Sequence, residues 1–156
     1  MRNKRFIAAH RGGPLQIEQH RQLIRWACIC VAHVLPLLAE KPDQRLGNAL
    51  LIAQAWADGN SSVGDARKAS TGAIAVANQS SDPIAIAVAR AAGHAVATAH
   101  MADHSLRAAL YALKAIRDSG ESVDSERKWQ NEHLPPEIRE LVINAGTVKE
   151  KALRLG

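Results

Sequence analysis

The chain has 156 residues and a mass of 16.8 kDa, enough for one ordinary domain and too little for a catalytic domain plus a regulatory one. Hydrophobic residues at 47% and charged residues at 22% exclude a disordered or fibrous chain, and 29 alanines against five aromatic residues favour close-packed helices. The net charge of +5 sits largely at the start: residues 1–11 hold Arg2, Lys4, Arg5 and Arg11 with no acid, leaving 16 basic against 15 acidic residues elsewhere.

Residues 1–11 therefore read as a basic, solvated N-terminal tail, and residues 12–156 as a single, nearly neutral helical domain from which specific nucleic-acid binding is not expected. Apolar residues recur at three- and four-residue spacing from Leu15 to Leu155, and period-two alternation is nearly absent. A first helix follows Gly12-Gly13-Pro14, with Leu15, Leu23, Ile24, Ala27, Val31, Val34 and Leu38 on its inner stripe. It runs to about Glu40, with Pro36 expected to kink it or end it early. Leu46, Leu50, Ala53 and Ala57 mark a second helix that stops at Gly59. Ser62 and Asp65 form a capping-box pattern that opens a third, whose middle is weakened by Ser70, Thr71 and Gly72.

Asp82-Pro83 is the strongest helix start in the chain, because Asp accepts orphan amides and Pro at the first helical position loses no needed donor. From Ile84 to Ala99 the helix it opens is small and apolar on nearly every side, which assigns it to the centre of the bundle. Leu106, Leu110, Leu113 and Ile116 mark a further helical segment ending at Gly120, either continuous with the fourth helix or separated by a break near Ala102. Ser122 caps a short helix through Trp129, and Pro135-Pro136 opens another with Ile138, Leu141 and Val142 inside. Gly146 ends it, and Thr147 with Glu150 opens a short terminal helix. The expected fold is all-α: one compact bundle of about six or seven helices around an Ala-rich central helix.

No phosphate loop, hydrolase elbow or zinc-protease motif is present, so no catalytic residue, metal or cofactor is assigned. Cys28 and Cys30, about 200° apart on a helix, cannot pair with each other and indicate a reducing compartment. Phe6 to Ala9 is too short for a signal-peptide core. Residues 84–102 are long enough for a membrane span but too polar for one, given Arg90, His94 and His100. The densest polar cluster is His94, His100, Asp103 and His104, a candidate ligand or partner site. On an unbroken helix His100 and His104 share a face and His94 lies about 120° away, with structural hydrogen bonding the simpler role. Trp26 and Trp56 read as space-filling core residues, while Trp129, beside Glu126, Arg127 and Lys128, is a candidate partner anchor.

Three stretches carry a family resemblance: GHAVATAHMADHSLRAALYALKAI at 93–116, RWACICVAHVLPLLAEKPDQRLGNALLIAQAWADG at 25–59, and ERKWQNEHLPPEIRELV at 126–142. Together they resemble the Imm-five-like family of bacterial putative immunity proteins. The resemblance implies an α-helical, non-enzymatic cytoplasmic protein that binds and neutralises a cognate toxin, and it supplies no catalytic residues. The alternative from the residues themselves is a metal- or small-molecule-binding helical enzyme that uses the His94, His100, Asp103 and His104 cluster.

Overall fold

A computed structural model of the chain describes residues 3–153, with side chains described through Ala145. Among these residues seven α-helices form one bundle: α1 Ile17–Val34, α2 Gln44–Ala57, α3 Val63–Asn78, α4 Pro83–Ala97, α5 His104–Asp118, α6 Val123–Glu132 and α7 Pro136–Leu153. The all-helical expectation holds, and the start signals act as read. The Ser62 hydroxyl accepts the Asp65 amide at 3.0 Å while the Asp65 carboxylate accepts the Ser62 amide, and Asp82 accepts the Ile84 amide ahead of α4. At Gly59 and Gly120 the backbone turns to φ of 82° and 85°, a left-handed conformation that stops α2 and α5 with little strain only at glycine.

Helix α4 is the centre. It packs against α1, α2, α3 and α5, and Ala87, Val88, Ala89, Ala91, Ala92, Ala95 and Val96 are buried along it. Short side chains let the neighbouring backbones approach, as Gly93 shows: a Cβ there would stand 2.7 Å from Ile74 Cδ1 on α3. The Ser70 hydroxyl donates to the Gly93 carbonyl at 2.9 Å, so Ser70 serves as a tie between helices and α3 continues through it. Trp26 is buried and donates its indole N–H to the Gln130 carbonyl at 2.8 Å, while the Gln130 side chain donates to the Ala109 carbonyl. One buried pair thus fastens α6 to both α1 and α5.

Pro36 ends the first helix early, as expected, and two other local expectations are corrected. Helix α1 begins at Ile17 and ends at Val34, because Pro36 lacks the amide that an α-helix needs there; Leu35–Leu37 form a 3-10 turn, and Leu38 is only half-buried. Helix α7 runs through Gly146 to Leu153, so Thr147 and Glu150 lie within one helix and do not open a second. The described part of the basic N-terminal segment, from residue 3 on, is docked onto the bundle: Phe6 is 3% exposed, and Phe6, Ala8 and Leu15 are buried. Backbone bonds from Leu15 to Ile7, from Ala9 to Leu15 and from Gly13 to Ala8 fold this segment back on itself. Gly13 permits the fold-back, since a Cβ there would lie 2.1 Å from the Ile7 carbonyl oxygen.

Candidate functional site

Helices α4 and α5 form an antiparallel hairpin whose turn, residues 98–103, carries His100 and Asp103 of the predicted polar cluster, with His94 on α4 and His104 opening α5. At this turn another helix engages the carbonyl that a longer α4 would use. In a longer α4 the Thr98 carbonyl would accept from the amide of residue 102; instead it accepts from Nε2 of His20, a buried α1 residue, at 2.5 Å. The Thr98 hydroxyl turns back onto the His94 carbonyl at 3.1 Å. His20 also packs against the half-buried Trp56 at 4.7 Å between ring centroids. Burial pulls the His20 imidazole below its ordinary pKa, although its bond to Thr98 opposes the shift.

The break brings the three predicted histidines together, which the uninterrupted-helix geometry does not. His94 and His104 meet Nδ1 to Nδ1 at 2.9 Å with ring centroids 5.0 Å apart, and His100 lies 5.3 Å from His104 on its other contact. A hydrogen bond between two Nδ1 atoms requires one to donate and the other to accept, so at least one imidazole is neutral. His94 is pushed down to about pKa 4, first by burial and then by His104, Arg107 and Arg90, with Asp103 acting in the opposite direction. Asp103 is 9% exposed and sits immediately before α5. Among the described residues no group of three or more His, Cys, Asp or Glu side chains is placed to hold a metal ion.

The cluster extends to residues that sequence reasoning missed. Tyr111 lies parallel to His94 at 5.4 Å with a 5° interplanar angle. Arg90 and Lys114 each stand 6.0 Å from the Tyr111 ring centroid. The signal was present as periodicity: residues 90 and 94 on α4, and 104, 107, 111 and 114 on α5, recur at three- and four-residue steps and therefore share a face of each helix. What periodicity lacked was the hairpin that lays the two faces side by side.

Trp129 occupies a different edge, between α1 and α6. His33 stacks on its indole at 3.5 Å with a 7° interplanar angle, and His133 packs on it at 4.1 Å. His33 donates Nδ1–H to the buried Glu126 carboxylate at 2.6 Å. Much of the Trp129 ring is thereby covered from within the chain, and it is half-buried. Cys28 and Cys30 are free and buried among apolar residues, and burial pushes the Cys28 thiol up to about 12.

A seven-helix bundle with a polar hairpin at one edge, and with no described helix long and apolar enough to cross a membrane, belongs to the class of compact helical proteins. Residues 13–137 match the family described as Imm-5 like putative immunity protein, and the chain belongs to that family. No curated protein and no solved structure matches the chain.

Proposed function

We propose that this protein is a cytoplasmic immunity protein that neutralises a bacterial toxin by binding it stoichiometrically, without catalysis. Family membership across residues 13–137 is the observation that carries this reading. The His94–His104 pair supports it further. Its Nδ1 atoms are engaged with each other across the α4–α5 hairpin, a tie that stiffens the surface the hairpin presents. The binding surface required is about 800 Å² on each partner, well within what one face of a domain this size offers. Among the candidate contact residues, His94, His100, Asp103 and His104 belong to the α4–α5 face, and Trp129 contributes through the part of its ring that His33 and His133 leave open.

Coexpression with the product of an adjacent toxin gene tests the proposal. Protection of the cells together with copurification of an equimolar complex is the expected result. Protection without any complex would overturn binding in favour of an enzymatic mode of protection.

A further inference from the structure

We propose that the α4–α5 face carrying Arg90, Arg107 and Lys114 around Tyr111 docks an acidic surface of a partner protein. Between residues 83 and 117 the chain contains Arg90, Arg107, Lys114 and Arg117 but a single acid, Asp103. Arg117 is held by Asp118 at 3.4 Å. The other three cations make no ion pair with a carboxylate among the described residues, whereas Asp43, Asp58 and Asp124 elsewhere on the bundle pair with Arg45, Arg25 and Arg127.

These three charges are also gathered, not scattered. Arg90 and Lys114 flank the same Tyr111 ring, and Arg107 acts on His94, which lies parallel to that ring. Tyr111 serves as a positioning residue, an aromatic platform that draws two cations together despite their mutual repulsion. Carboxylates on a partner would relieve that repulsion, so complementarity here contributes to encounter rate and register.

The dimensions favour a protein over a nucleic acid. Arg107 to Lys114 spans seven residues of helix, about 10 Å, and the run ends at Asp118 and Glu121. Electrostatic binding to nucleic acid grows with the number of phosphates neutralised, and so short a face reaches few of them. Two or three carboxylates on one helix turn or loop match it. The toxin of the immunity reading is the natural bearer of that acidic surface, and in this respect the inference rests on that reading; the face itself does not.

Fluorescence anisotropy with the full-length protein tests it, using a labelled oligoglutamate peptide and, separately, a labelled DNA duplex. Arg90→Glu with Lys114→Glu should weaken peptide binding about fivefold or more. Lys41→Glu with Lys68→Glu, an equal change in net charge at exposed positions, should leave it within about twofold. Equal weakening by both pairs would reduce the effect to net charge and overturn the proposal. Tighter binding of the duplex than of the peptide, dependent on Arg90 and Lys114, would overturn it in favour of a nucleic-acid face. Circular dichroism melts establish folding, and Arg107→Glu, at an exposed position, carries the same comparison if the double variant does not fold. A toxin complex that forms equally well with the reversed face would remove this inference and leave the immunity reading standing. Failure of the toxin to bind at all, with the peptide result intact, would remove the immunity reading and leave the face.

Discussion

His20 on α1 donates its Nε2 proton to the Thr98 carbonyl at 2.5 Å, and both residues are buried. A side chain 78 positions upstream thus satisfies the group that would otherwise prolong α4, and the chain can turn into α5. Replacing His20 by Ala should destabilise the protein by about 1–3 kcal/mol, because the carbonyl loses its partner in a site that water does not reach readily. Urea unfolding measures the loss. A smaller change accompanied by added helical signal would mean that the amide of residue 102 has taken the vacated carbonyl and α4 has lengthened.

Acid should weaken the fold through His94. Its folded pKa of about 4 lies below the ordinary value of 6.5, so the unfolded chain binds the proton more readily. The stability this group contributes is fully present above pH 6.5 and is lost as pH falls from there towards 4. Arg90 on α4, Asp103 in the turn, and His104, Arg107 and Tyr111 on α5 act on or pack against this imidazole, with His100 beside His104 and Lys114 beside Tyr111. His94→Gln should flatten the decline of the unfolding midpoint across that interval. His104→Gln should flatten it too, through loss of the coupled ring. An acid limb identical to the parent's in both variants would show that other groups control it.

Ala92 on α4 is fully buried, with helices packed around the one that carries it. Ala92→Leu should cost about 1–3 kcal/mol by overpacking, since surrounding side chains must leave their rotamers or the helices must separate. Urea titration again reads the effect, and an unchanged midpoint would contradict close packing at this position.

Phe6 inserts into the core although it precedes every α-helix. Phe6→Ala should destabilise the protein by about 3 kcal/mol, and removal of residues 1–11 should lower the thermal midpoint while leaving α1 to α7 formed. Retention of the parent midpoint after truncation would restore the view of this segment as a dispensable basic tail.

Much of the bundle was legible in local order alone. Capping pairs such as Ser62 with Asp65, the Asp82-Pro83 start and the glycine stops at 59 and 120 act within a few residues, and burial of the alanines on α4 follows from their being apolar on nearly every side. Burial of Phe6 is not legible locally, because a short apolar pair beside four basic residues resembles a frayed end, and only the Gly13 fold-back shows where it goes. Gly146 looks like a stop in the sequence, yet glycine only lowers helix propensity, and the helix continues through it.

The candidate site divides along the same line. The sequence by itself determined that His94, His100, Asp103 and His104 would lie near the end of the central helix, since they are close along the chain. Tertiary structure alone decided that the histidines touch, that Tyr111 stacks on His94, and that Arg90 and Lys114 gather at that ring. The physical reason is that periodicity describes a helix that continues, whereas α4 closes at Ala97, His20, distant in sequence, holds the Thr98 carbonyl, and the hairpin lays the two faces together.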